Sequence, residues 1–348
     1  MLLTGLFCGI LLGFVMQRGR FCITGAFRDL YVTKSNKMFV ALLIAITVQS
    51  IGFFILKEVG WLNIEPTKNF EFVAVIVGSF LFGIGIIYAG GCATGTWYRA
   101  AEGLIGSWVA LLMYMLFSAM MRTGPLGEFN QTLRSVKIDE RNIYESVGIS
   151  AWWLVALLTL ITGYYVYKHL AKPQAKVATL TPKKNGIAHI LFEKRWHPFV
   201  SAILIGLIAL AAWPLSVATG RIGGLGITTP SANIMQYLIT NETEFINWGV
   251  FLVLGIFIGS FIAAKGSNEF RLRLPDTQTM VRSAFGGSLM GIGASLAGGC
   301  SIGNALVATA YFSWQGWISL PLMVLGTWFA AYFTIIRPQR LKLLPLNF

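Results

Sequence analysis

The 348-residue chain is 55% hydrophobic and only 12% charged, about half the charge of a soluble domain, which excludes that class. Its formal net charge of +13 raises the question of nucleic acid. The basic residues punctuate apolar runs and build no basic face with interleaved aromatics, so nucleic acid is excluded as a partner as well. What remains is an all-α polytopic membrane protein whose solvent includes the lipid bilayer. Its apolar runs are continuous rather than alternating, which selects helices over a barrel.

Nine spans are expected in chain order, at 2–16, 39–56, 72–90, 104–121, 151–167, 198–217, 246–263, 284–299 and 315–336. No basic segment precedes the first and no small-residue cleavage site follows it, so it reads as a span that stays. The stretches after Cys22, Cys92 and Cys300 are semi-polar and too short to cross, and read as re-entrant half-helices. The segment 168–197 carries seven Lys and Arg against Glu193 alone, with Pro173 and Pro182 opposing a continuous helix. It reads as a basic cytoplasmic linker between a first membrane half, 1–167, and a second, 198–348. Segments 17–38, 99–103, 168–197, 264–283 and 337–348 together hold 20 of the 27 Lys and Arg. The positive-inside rule places that set in the cytoplasm, giving an outside N-terminus and an inside C-terminus.

The cysteines carry the strongest motif. Three of the four recur in one frame: Gly13-x8-Cys22-x2-Gly25, Gly83-x8-Cys92-x2-Gly95 and Gly291-x8-Cys300-x2-Gly303. The last two share Ala-Gly-Gly-Cys, and the first two share Cys-x-Thr-Gly. A fourth unit begins at Gly255 with Ala264 at the cysteine position, which makes two glycine units per half, three of them bearing a thiol. Internal repeats with interrupted helices are a pattern of transporter sites near the bilayer midplane. Cys8 lies outside the frame and reads as a packed small hydrophobe.

Glycine at a half-helix start lets the backbone turn and present amide N–H groups, whose partial positive charge favours an anion. Gly90-Gly91 before Cys92 and Gly298-Gly299 before Cys300 fit that part. A protonated thiol adds a polarisable atom and a weak donor that can meet a sulfane sulfur and release it, whereas a thiolate would repel an anion. Gln17, Thr24, Thr94, Ser301 and Asn304 can line the path or cap the half-helices. Arg28, Asp29 and Arg99 follow the thiols by six or seven residues and can serve the inner mouth or anchor the chain at the interface. All three histidines lie in or at the linker, so a mixed Cys/His metal site or nucleophile lacks parts; no cofactor is expected. Transport of a sulfur compound is the leading reading. A membrane thiol oxidoreductase or sulfurtransferase is a rival that lacks a Cys-x-x-Cys pair, and soft-metal transport is one that lacks Met- or His-rich entrance segments.

At these residues the chain resembles the YeeE/YedE family of membrane proteins over essentially its whole length. The specific stretches are 13–25, 89–99 and 297–304, joined by 189–198, which is typical of the YeeE branch. The resemblance implies thiosulfate uptake across the bacterial inner membrane, an hourglass-like helical fold and no enzymatic activity. It also implies that Cys22, Cys92 and Cys300 pass the anion along by transient S–H···S contacts. Gly90, Gly91, Gly298, Gly299, Thr94 and Asn304 are expected beside them. A small cytoplasmic TusA-like sulfurtransferase, YeeD, is the implied partner. Some relatives are linked to selenium compounds, which keeps a selenium substrate as an alternative.

Overall fold

In a computed structural model of the chain, residues 1–62, 69–140, 142–171 and 185–339 are described. They are helical, with β-pairing limited to isolated bridges among the described residues. All nine expected spans form helices: α1 (Leu2–Gly19), α3 (Lys37–Glu58), α4 (Phe72–Tyr88), α6 (Ile105–Arg122), α9 (Ala151–Leu170), α10 (Pro198–Val217), α12 (Trp248–Gly266), α13 (Thr277–Leu296) and α14 (Trp314–Ala331). Between them lie the short helices α2 (Ile23–Val32), α5 (Ala93–Ala101), α7 (Gly127–Leu133), α8 (Ile143–Val147) and α11 (Thr228–Thr240). Among the described residues, seven helical runs are by themselves long and apolar enough to cross a membrane, the first and third of them, Leu2–Val32 and Phe72–Ala101, including the short helices α2 and α5. The two outside that set are α9 and α13. Tyrosines and a terminal lysine dilute α9, while α13 exchanges apolar bulk for glycine and serine because α4 and α6 cover it from two sides. The chain is a multi-pass membrane protein.

Two expectations need adjustment. Helix α13 starts at Thr277 rather than 284, with Asp276 as its cap: the Asp276 carboxylate accepts from the Thr279 amide at 3.2 Å. Helix α11 lies inside 218–245, which reads as a loop in the sequence. Its side chains are polar and small because they face protein: Thr228 accepts from the Tyr114 hydroxyl at 2.9 Å and Ser231 from the Trp97 indole at 3.0 Å. The middle of the expected linker, 172–184, lies outside the described residues.

Helices from before and after the linker are interleaved. The most extensive pairings are α1 with α12, α4 with both α13 and α14, and α6 with α13. They close through glycine. A Cβ added at Gly9 would stand 2.0 Å from the Leu252 carbonyl oxygen, and one at Gly259 would stand 2.0 Å from that of Ile10. The frame glycines Gly13, Gly83 and Gly291, and Gly255 with them, are such crossing points, each with a neighbouring backbone within 3 Å of the missing Cβ. Small residues permit this approach where lipid supplies no hydrophobic drive between helices. Helix α12 runs unbroken through Ala264 to Gly266. Outward-facing Trp153, Leu160, Leu207 and Ile258 remain exposed to the lipid.

Candidate functional site

Cys22 and Cys92 stand at the N-caps of α2 and α5, with the extended backbone that a cap requires. In both, the sulfur accepts from the amide three residues on, Gly25 or Gly95, at 3.4 Å. The Cys-x2-Gly spacing is therefore cap geometry. A side chain at position 95 would press a Cβ to 3.4 Å from the Cys92 sulfur. Two residues before each thiol the chain is left-handed, with φ of 47° at Arg20, 72° at Gly90 and 69° at Gly298. Glycine adopts this without steric cost, whereas Arg20 is held there by ion pairs to Glu102 at 2.8 Å and Glu269 at 2.9 Å.

The third copy is built differently. Past Cys300 the coil widens over Gly303–Ala308, where the Val307 amide bonds back five residues to Ile302 at 2.9 Å. The Gly298-Gly299 turn is braced by side chains. Asn304 donates to the carbonyls of Ala297 at 2.9 Å and Gly299 at 3.1 Å, and Gln315 donates to Ala297 at 3.0 Å and to the Asn304 oxygen at 2.9 Å. Asn304 is thus committed to the turn. In the second copy Arg99 has the bracing part: its guanidinium donates to the Gly90 carbonyl, lies against Gly91 and reaches the Cys22 sulfur at 3.8 Å. Of the charges that follow the thiols, Arg99 therefore faces the site, while Arg28 pairs with Asp29 at 2.8 Å.

The three thiols are buried and free. Cys92 stands within electrostatic reach of both Cys22 and Cys300, and beside Ser301. Thr24, Thr94 and Ser301, each one or two residues after its cysteine, are buried with hydroxyls that find no hydrogen-bond partner of good geometry. A buried hydroxyl left unpaired costs about 1–3 kcal/mol. Such hydroxyls also occur at Ser50, Ser79, Ser295 and Ser319, so the three next to the thiols are part of a wider set in the interior. No three metal-ligating side chains converge among the described residues.

A cavity of about 230 Å3 opens on Cys300. Its walls are the Gly298–Cys300 turn, Gln315, the glycine-rich 223–226 stretch, the N-terminus of α11 and two arginines. Arg134 is paired with Glu71. Arg221, which sequence reasoning passes over, donates to the Gly224 carbonyl at 2.9 Å and the Ser216 hydroxyl at 3.2 Å, and has no acidic partner among the described residues. Burial lowers its guanidinium to about 10, which leaves it charged at neutral pH. The available signal is that Arg221 is the single basic residue in 218–245.

Just before Cys22 in the chain lies a charge cluster. Glu269 accepts from Gln17 at 2.7 Å and pairs with Arg18 at 3.4 Å and Arg20 at 2.9 Å, while Arg18 also donates to the Lys194 carbonyl at 3.1 Å. Burial alone would raise the Glu269 carboxyl, but the Gln17 hydrogen bond and the Arg20 guanidinium outweigh it and hold it below the usual range.

A model of the family described as sulphur transport matches residues 18–329. The chain belongs to the sulphur-transport family. It is 61% identical over 340 residues to the thiosulfate transporter TsuA of Escherichia coli K12, covering 98% of this chain and 96% of that one. It is 31% identical to the thiosulfate transporter TsuA of Spirochaeta thermophila over 97% of this chain and all of the relative. A probable transporter, YedE of Salmonella typhimurium, is 30% identical over 51% of this chain and 43% of its own length. The resemblance carried by the cysteine motifs is thereby borne out, and this family member is a transporter rather than an enzyme.

Proposed function

We propose that the protein carries thiosulfate inward across the bacterial inner membrane, handing it from Cys300 to Cys92 to Cys22. The observation that carries this reading is the cavity at Cys300, where Arg221 has no acidic partner among the described residues and the α11 N-terminus adds positive potential. Behind it, a buried hydroxyl follows each thiol: Thr24 and Thr94 have no partner among the described residues, and Ser301 lies beside Cys92. Thiosulfate has a soft sulfane end for the thiols and a hard oxyanion end for hydroxyls and backbone amides, so both parts of the lining are used. Gly90, Gly91, Gly298 and Gly299 shape the turns that aim those amides, Thr94 donates from the second turn, and Asn304 fixes the third. Inward release requires the Gln17–Glu269–Arg20 cluster to part. The distribution of Lys and Arg supports an outside N-terminus and a cytoplasmic C-terminus. The product is then delivered on the side where a TusA-like sulfurtransferase can receive it, with 1–167 and 198–348 as the two membrane halves.

Uptake of sulfane-labelled thiosulfate into proteoliposomes tests the reading. Saturable uptake that excess sulfate leaves unchanged is expected, because sulfate lacks the soft end. Absence of uptake by folded protein, or equal competition by sulfate, would sink it. Arg221→Gln retains hydrogen-bonding capacity and removes the charge. It is expected to raise KM for thiosulfate about tenfold at low ionic strength with the maximal rate kept, and high salt should narrow the gap. Concentration-dependent initial rates at two salt levels check this.

A further inference from the structure

A second cavity lies on the basic side of the molecule. It is a groove of about 970 Å3 between the end of α1, the start of α3 and the start of α10. Lys37, Lys194, Arg195 and His197 line it, together with Arg20, and no carboxylate among the described residues does. Arg20 is committed to Glu102 and Glu269. Glu193, the carboxylate next in sequence, bonds to His189 at 2.9 Å. Lys37, Lys194 and Arg195 make no ion pair with any described residue, and Lys194 and Arg195 are exposed. Burial and the nearby Lys37 hold His197 below its ordinary range, which marks how closely these groups converge.

The rest of the groove is apolar. Ile190, Pro198, Val200 and Leu204 line it. From Val200 an exposed stripe continues down α10 through Ile203 and Leu207, 51%, 43% and 48% exposed. Trp196 sits at the junction, half-buried, its indole donating to the Ile190 carbonyl at 2.8 Å. An indole at such a boundary is the mark of the membrane–water interface. Cations at one end, an indole at the boundary and an apolar stripe running into the hydrocarbon match one amphipathic shape.

We propose that this groove binds an anionic phospholipid, with its phosphate held by Lys37, Lys194 and Arg195 and one acyl chain lying along Val200, Ile203 and Leu207. An acidic protein tail satisfies the charges but leaves the stripe uncovered. A bound lipid would brace residues 194–198, and through the Lys194 carbonyl would reach Arg18 in the inner charge cluster.

Native mass spectrometry of the full-length protein in detergent, titrated with phosphatidylglycerol or phosphatidylcholine, tests this. The wild type is expected to retain phosphatidylglycerol about 100-fold more tightly than Lys37→Gln/Lys194→Gln/Arg195→Gln, which lacks all three cations. Lys37→Arg/Lys194→Arg should bind as the wild type does, and phosphatidylcholine should bind weakly to all. Equal phosphatidylglycerol binding in the triple variant would overturn the proposal, as would phosphatidylcholine binding as tightly. So would displacement of phosphatidylglycerol by a poly-glutamate peptide or by inorganic phosphate at matched concentration.

Discussion

Cys92→Ala is expected to lower thiosulfate uptake about 10- to 100-fold while the protein still reaches the membrane folded. Cys92 is fully buried, within electrostatic reach of both other thiols and beside the Ser301 hydroxyl, and the neighbouring Thr94 hydroxyl finds no partner among the described residues. An anion passing that point without the thiol loses its soft contact in a place where water cannot substitute. Loss of one buried hydrogen-bonding partner costs about 1–3 kcal/mol, or roughly 5- to 150-fold. Alanine also removes the cap on α5, worth about 0.5–2 kcal/mol of stability. Cys92→Ser separates the two effects, because a serine hydroxyl caps the Gly95 amide at least as well as sulfur does. Serine is expected to restore thermal stability and leave uptake depressed. Wild-type uptake in Cys92→Ser would show that a donor suffices and that polarisability is irrelevant. Wild-type uptake in Cys92→Ala would remove the thiol from the route.

Gly9→Leu is expected to eliminate folded protein. A Cβ at Gly9 falls 2.0 Å from the Leu252 carbonyl oxygen and 2.9 Å from the Gly255 Cα. Both are backbone atoms, so no rotamer change relieves the overlap. Helices α1 and α12 must separate, and with them go the Ser260 hydrogen bond to the Gly13 carbonyl at 3.0 Å and the Trp248 bond to Thr4 at 2.9 Å. A cost on the order of 4 kcal/mol or more is in the range that unfolds marginal proteins. The comparison is Gly163→Ala, on α9, where an added Cβ meets nothing within 4 Å. Size-exclusion profiles of the two variants in mild detergent should show aggregate for the first and a wild-type peak for the second. A monodisperse Gly9→Leu would show that α1 and α12 tolerate separation.

The spans were legible because a bilayer demands long apolar runs, and α10 emerges with the expected bounds, residues 198–217. The short helices α2 and α5 were legible because the stretches after Cys22 and Cys92 are semi-polar and too short to span, and the Cys-x2-Gly spacing there is that of a cap to its third amide; past Cys300 the same spacing accompanies a widened coil instead. Helix α11 was not legible: Thr-Thr-Pro-Ser-Ala-Asn carries no apolar period, since its hydroxyls bind Tyr114 and Trp97 from helices more than a hundred residues away. Arg221 was hidden for the same reason. It lies 79 residues before Cys300 in sequence, and only the fold places both in one cavity. The frame glycines signalled a repeat, but their work as crossing points depends on the facing helix, which no spacing within one helix reveals.

The interleaving of the helices bears on how the chain is made. Helix α1 emerges first from the ribosome, yet the surface it fits, on α12, follows about 230 residues later. At 5–20 residues per second that is a delay of roughly 12–46 s. Throughout it the glycine-notched face of α1 stands in lipid without its mate, and Arg18 lacks Glu269. Until then the main partner α1 can find is α10, which precedes α12 in the chain. Separately expressed halves would each lack the surfaces that close them, and would become stable only by finding one another in the membrane.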